Sequence, residues 1–343
     1  MSRFYLKKLG EQEMGSPKPD GSISRGRYIY ISKDYAEEFF PHLSRTITND
    51  SALLPIIPPF ENKKVYSKYV YHNDKFNVSS GTRNEYRVYL NQDIDLERRY
   101  YKPNDIVVFE KYFEENIRET GFSMPVYFMY RFEPNDENYE ILDNFINESS
   151  VKGNHALVEN ILFEIETVDE ERIEKSEVII SDDAKAEIIE QQEEILSLEE
   201  DGNELETIRG AHLFNSSNFR EFVLLGYGYK CAITKKAIVW KGFNNLEAAH
   251  IKPKAQAGTF LPCNGIALCR DMHWAFDKGF LTVSDDFKVI IHEEVRHTFL
   301  GDFQGEEITI PVDAYFRPAQ KFLQYHRENI FGLFKYSGIM RRL

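Results

Sequence analysis

Residues 166–207 carry 17 acidic and 3 basic side chains, a net −14 that equals the charge of the whole 343-residue chain. A run of that charge reads as a solvated segment between two bodies, because carboxylates leave water at high cost unless they are paired. Residues 1–165 hold 21 Lys and Arg against 26 Asp and Glu, and residues 208–343 hold 18 against 13. The expected organisation is α+β: a domain at 1–165, an acidic helical linker at 166–210 and a mildly basic domain at 211–343. Within the linker, Ala184 to Leu198 is rich in helix formers, with Ile188, Ile189, Ile195 and Leu196 as its apolar stripe. Asp201-Gly-Asn203 is the expected stop.

The first domain has dense aromatics in short strand-like runs: Tyr28–Ser32, Glu85–Leu90, Ile106–Tyr112 and Pro125–Phe132. Turn formers such as Asp20-Gly21, Ser79-Ser-Gly81 and Lys102-Pro-Asn-Asp105 bound them. Strands at this spacing predict a small β-barrel.

The second domain carries the chemistry. His250 ends the short apolar run Leu246-Glu-Ala-Ala-His-Ile251, Asn264 precedes Gly265 in a turn, and His273 and Asp277 stand four residues apart. Four residues is about one helical turn, so the last two side chains can point the same way and share one divalent cation. An imidazole titrating near neutrality suits His250 to take a proton from water. An amide does not titrate, which makes Asn264 a loop-organising group. Glu247, three residues before His250, is a candidate to orient that histidine. A base, a loop anchor and two cation ligands are the parts that phosphodiester hydrolysis needs. Taken singly each has a plain structural reading: His250 as a core histidine, His273 beside Trp274 as a packed helix residue, and Gly279 as a helix stop.

Cys231-Ala-Ile-Thr234, Ala248-Ala-His-Ile251 and Asn264 through Gly279 together resemble one branch of the HNH nucleases. The resemblance covers about Phe219 to Phe331. It implies a ββα-metal core, with His250 as base, Asn264 in the connecting loop, and His273 with Asp277 at one metal ion, Mg²⁺ or Mn²⁺. Many HNH domains place a further ligand immediately before the base. Ala249 stands there, which implies two protein ligands and weak metal binding without DNA. Around this core, Asn215-Ser-Ser-Asn218 offers an N-cap for a helix through Leu225, with Glu221 completing a capping box. Leu281–Val283 and Val289–Ile291 read as a hairpin, and Arg317 to Phe331 as a closing helix.

Cys231, Cys263 and Cys269 form no C-x-x-C pair, so neither a structural zinc nor a disulfide framework is expected. The N-terminus lacks an apolar signal segment, and a cytoplasmic protein without a membrane anchor is the expectation. Candidate DNA contacts are Arg25, Arg27, Lys63, Lys64, Arg83, Arg87, Arg98 and Arg99 in the first domain, and Arg327 in the last helix. Asn104 to Glu110, following the Glu85–Leu90 strand, resembles the B3-like DNA-binding pseudobarrel of some restriction enzymes. The whole reads as a two-domain endonuclease acting on double-stranded DNA in a restriction system. A homodimer or partner subunits would supply the second cut. The alternatives are a non-cleaving or partner-dependent DNA-binding subunit, and a nuclease that requires modified bases.

Overall fold

Strict alternation along the N-terminal strands sends Tyr5, Val107, Phe109, Tyr127 and Met129 to one face and Phe4, Leu6, Ile106 and Val108 to the other. Both faces are buried here, so the middles of these strands carry apolar residues on both sides. The computed structural model describes residues 3–15, 27–74, 84–113, 125–149, 154–159, 176–200, 216–240 and 243–335. The chain divides into two compact units, Met1–Leu213 and Phe214–Leu343.

In the first unit the elements are β1 (Arg3–Lys8), α1 (Glu11–Met14), β2 (Tyr28–Ile31), α2 (Lys33–Phe39), β3 (Ser51–Ile57), β4 (Lys63–His72), β5 (Glu85–Tyr89), β6 (Ile106–Phe113), β7 (Pro125–Phe132), α3 (Tyr139–Ser149), β8 (His155–Val158), β9 (Glu177–Ile180) and α4 (Asp182–Glu200). The described strands form one large curled sheet in the order β2-β5-β4-β3-β7-β6-β1-β8, with β9 beside β4. Pairing is antiparallel except at β3–β7 and β4–β9. The inside of the curl is aromatic: Phe39 at the end of α2 and Phe40 just after it meet Tyr5, Tyr69, Phe109 and Tyr127, with Phe40 stacked on Tyr127 at 5.3 Å. On the outer face α3 covers Phe4, Leu6, Ile106 and Val108 with Tyr139, Leu142 and Ile146.

Strand β3 escaped the sequence reading because Pro55 interrupts it. The proline is tolerated because β3 pairs with β7 only at Ile56 and Ile57, just past it.

The acidic segment is not a free-standing connector in its described part. Strand β9 joins the sheet, and α4 packs against β4 along the face Ala184, Glu187, Ile188, Gln191 and Ile195. Ile189, expected on the apolar stripe, is 42% exposed. Glu187 is buried instead, accepting from Ser51 Oγ at 2.7 Å and paired with Lys68. Partnering allows one carboxylate of the acidic run to leave water. The expected stop at Asp201-Gly-Asn203 lies outside the described residues.

The second unit comprises α5 (Ser216–Gly226), β10 (Val239–Trp240), β11 (Phe243–Asn244), β12 (Leu246–His250), β13 (Gly265–Cys269), α6 (Arg270–Asp277), β14 (Leu281–Val283), β15 (Val289–Ile291) and α7 (Gln320–Asn329). Helix α5 starts two residues before the expected cap at Asn218, which is itself helical and buried. The β14–β15 hairpin has the bounds its alternation predicts. No helix among the described residues is long and apolar enough to cross a membrane.

Candidate active site

Strands β12 and β13 pair antiparallel, with His250 opposite Gly265 and Leu246 opposite Cys269, and α6 follows directly. Gly279, at φ 73°, ends that helix where a Cβ would lie 2.1 Å from the carbonyl oxygen of Ile330. One end of the loop between the strands is tied by Asn264. Its Oδ1 accepts from Lys252 N–H at 2.8 Å, and its Nδ2 donates to the carbonyls of Lys252 and Thr259 at 3.1 and 2.9 Å. Fully buried, Asn264 spends its amide on holding the loop.

His250 lies against α5. Phe219 stacks on its ring at 4.2 Å between centroids and 23° between planes, and Phe260 meets it edge-on at 5.4 Å. Gly265 makes this approach possible, since a Cβ there would sit 2.2 Å from Val223 and 3.0 Å from the Phe219 ring. The Nε2 atom of His250 is buried and has no hydrogen-bond partner among the described residues. Burial, then the positive charges of His273 and Lys254, push its pKa down to about 4. The ring is therefore neutral across the physiological range.

Glu247 does not orient His250. Residues three apart on a strand face opposite sides, so when His250 meets α5, Glu247 meets α6. Its Oε2 accepts from Nδ1 of His273 at 2.5 Å, and its Oε1 is 3.4 Å from Arg270 Nε. With the His273 proton on Nδ1, Nε2 presents a lone pair towards Asp277 Oδ2, 3.4 Å away. In the neutral ring a cation can bridge these two acceptors, and in the charged ring Nε2–H faces the carboxylate directly. Burial raises the Asp277 pKa, against the opposing charge of His273.

Among the described residues, no group of three or more His, Cys, Asp and Glu is arranged to hold a metal ion. The two-donor pair His273 Nε2 and Asp277 does fit one. Its nitrogen–oxygen separation is one that ligands about 2.1 Å from a common cation can span. A carboxylate behind the ligating imidazole, here Glu247, is the usual support for such a ligand.

The family model for HNH endonucleases matches residues 231–284. Those residues form an HNH endonuclease domain. A solved structure titled "Modification dependent TagI restriction endonuclease" is 22% identical over 34% of this chain and 38% of that one, with a TM-score of 0.27. The aligned part is thus well under two thirds of that chain, and a likeness of this extent carries no argument. No curated protein matches the chain.

At the edge of the HNH domain, Cys269 hydrogen-bonds to the sulfur of Cys231, which also accepts from Thr234 N–H at 3.4 Å. These bonds hold the Cys231 thiol well below the usual thiol range and drive the Cys269 thiol up. Phe219 lies outside the matched stretch and was missed as a site residue. Its only sequence signal is an aromatic on the buried face of a helix, which looks like any core position.

The candidate DNA contacts fare unevenly. Arg25 and Arg83 lie outside the described residues. Arg27 is 5% exposed and spent on the fold, with Asp95 and the carbonyls of Met14 and Tyr101 as partners. Arg87 is buried beside Glu85 with its guanidinium 3.9 Å from the Tyr28 ring centroid, and Lys64 is buried too. Arg327 donates to Val283 O at 2.9 Å and to Asp285, tying α7 to the β14–β15 hairpin. Arg27, Arg87 and Lys64 are buried and Arg327 is half-buried, and the three arginines are engaged by acceptors within the fold, so their first role is structural. Lys63 pairs with Glu61 at 2.5 Å. Arg98 and Arg99 are exposed on a turn where Glu97 and Arg98 both hold left-handed backbone, at φ 51° and 56°.

Proposed function

We propose that the chain is a DNA endonuclease of a restriction system, its HNH domain hydrolysing phosphodiester bonds with His250 as general base. The observation that carries this is a buried imidazole nitrogen with no partner, close enough to His273 for that residue's charge to act on it. Such a nitrogen is costly in a folded protein unless a water or substrate atom completes it. In this reading a water against His250 gives up a proton to the ring as its oxygen attacks phosphorus. The bond to the 3′ oxygen breaks, that oxygen takes a proton from solvent, and 5′-phosphate and 3′-hydroxyl ends result. When bound at His273 and Asp277, a divalent cation, Mg²⁺ or Mn²⁺, supplies positive charge to the phosphate and leaving oxygen. Glu247 keeps the His273 proton on Nδ1, and Asn264 keeps the loop beneath His250 in place. A pKa of about 4 makes His250 always available but a weak base. The anionic phosphate of bound DNA acts in the opposite direction and strengthens it.

The N-terminal sheet would read the DNA, with Arg98, Arg99 and Lys63 as the remaining candidates. A single centre cuts one strand, so a double-strand break needs a homodimer or partner subunits. A second reading, a non-cleaving or partner-dependent DNA-binding subunit, is favoured by Ala249, where many relatives carry a ligand. Incubating plasmid and phage DNA with purified protein and Mg²⁺ or Mn²⁺, beside His250→Ala, separates the two. Discrete fragments that vanish in the variant support the first. Absent cleavage, or cleavage indifferent to His250, moves the assignment to the second. Running modified and unmodified DNA in parallel tests for dependence on base modification.

A further inference from the structure

Ile238, Val239 and Trp240 are 71%, 64% and 64% exposed. Val239 and Trp240 are consecutive on strand β10, so their side chains leave opposite faces of the β10–β11 hairpin. Single exposed apolar residues are ordinary, but three in a row on a hairpin are not. The setting is basic: between Glu221 and Glu247 the sequence has four lysines and no acidic residue, in a chain of net charge −14. Three of those lysines, Lys230, Lys235 and Lys236, lie in the described residues and are exposed.

The edge is also fixed to the active site. Ile238 N–H donates to Asn245 Oδ1 at 2.8 Å and Asn245 N–H to Ile238 O at 3.2 Å, closing the hairpin's base. The carbonyl of Asn245 accepts from Arg270 N–H at 3.1 Å, at the first residue of α6. Leu246, the next residue, begins the strand that ends in His250. Four residues of strand span roughly 13 Å, or about four nucleotides of one B-DNA strand.

We infer that Ile238–Trp240 with Lys230, Lys235 and Lys236 is a DNA-contacting edge that holds the duplex beside the scissile phosphate. The lysines neutralise phosphates and Trp240 lies against sugars or bases. An apolar wedge with basic flanks is the chemistry with which proteins grip and open a groove without reading sequence. A protein partner fits less well, since protein interfaces are depleted in lysine. The inference rests on the nuclease reading and names where that nuclease holds its substrate.

The test uses the full chain with His250→Ala to block cleavage and Trp274→Phe to leave Trp240 as the remaining tryptophan of two. A 20-base-pair duplex should change Trp240 emission on binding. Adding Trp240→Ala to the His250→Ala chain should weaken duplex affinity about tenfold without altering its salt dependence. Adding Lys235→Ala and Lys236→Ala should lower the slope of log affinity against log salt by about two. Unmoved Trp240 emission together with unchanged affinity in the Trp240→Ala variant overturns the inference. If Trp240→Ala instead converts a dimer to monomer in sedimentation, with DNA affinity intact, the edge is a protein interface and the inference is likewise wrong. Cleavage by the wild-type chain that survives the edge substitutions defeats this inference alone. Failure of the duplex to bind any form of the chain defeats it together with the nuclease reading.

Discussion

His250 and His326 occupy two aromatic slots of the same compact unit that differ most in their hydrogen bonding. Each ring is stacked on a phenylalanine, Phe219 at 4.2 Å and Phe276 at 3.7 Å, and burial is the leading cause that lowers each pKa, to about 4 and about 3. At His326 both ring nitrogens are used: Nδ1 lies 2.9 Å from Thr282 Oγ1 and Nε2 donates to Phe276 O at 3.2 Å. At His250 the buried Nε2 is left over. The same residue type is thus a structural brace in one place and carries an unspent nitrogen in the other. Both pKa values are lowered, although His326 is fully buried and His250 only half-buried. Hydrogen-bond accounting separates them.

The sharpest way to break that contrast is truncation of each histidine. His250→Ala should reduce cleavage by about 10²–10⁴-fold while leaving the melting temperature within a degree or two, since no hydrogen bond is lost. His326→Ala should do the reverse, costing about 2–4 kcal/mol in chemical denaturation while the folded fraction still cuts. An inactive but stable His326→Ala protein would erase the distinction.

Next in size, Glu247→Gln should weaken Mn²⁺ binding about 10–100-fold, read by electron paramagnetic resonance titration. Chelation with EDTA should stop cleavage. A Glu247→Gln protein that binds Mn²⁺ normally would return that carboxylate to a merely structural role.

Phe219→Leu should lower kcat about five- to tenfold with KM unchanged, and Phe219→Tyr should restore it by returning a ring to the stack. The His250 ring protons should lose their upfield shift in the leucine variant alone. Equal shifts in both variants would count against the stack as a positioning device.

The smallest expected effect concerns pH. The folded His326 pKa lies below its unfolded value near 6.5, so the unfolded chain binds the extra proton. Its contribution is complete above about pH 6.5 and falls as pH drops towards 3, by about 1 kcal/mol per pH unit. Urea midpoints at pH 7.5 and 5.5, for the parent and for His326→Gln, read this directly. Parallel pH dependence in both proteins would contradict the assignment.

How much of this was legible depends on the range of the signal. His250, Asn264, His273 and Asp277 stood out because residue type and spacing along one strand, one turn and one helical turn are local properties. The β14–β15 hairpin and four of the N-terminal strands followed from alternation for the same reason. Arginine partners were not legible. Arg27 looks like a groove-reading residue until Asp95 is brought to it from 68 residues away, and Arg87 until the Tyr28 ring comes beneath its guanidinium. Strand β3 was hidden by Pro55, whose tolerance depends on where β7 begins to pair.

The chain's own order of residues determined that it carries an HNH domain, which residue types stand at its candidate site and where the acidic run lies. Only the tertiary structure decided which side chains are spent. It turned Glu247 to His273 rather than His250, buried Glu187 against Lys68, and used the absent Cβ of Gly265 to admit Phe219. Periodicity fixes the face on which a side chain leaves its own element, whereas the partner waiting there is set by contacts between distant segments, which no local pattern encodes.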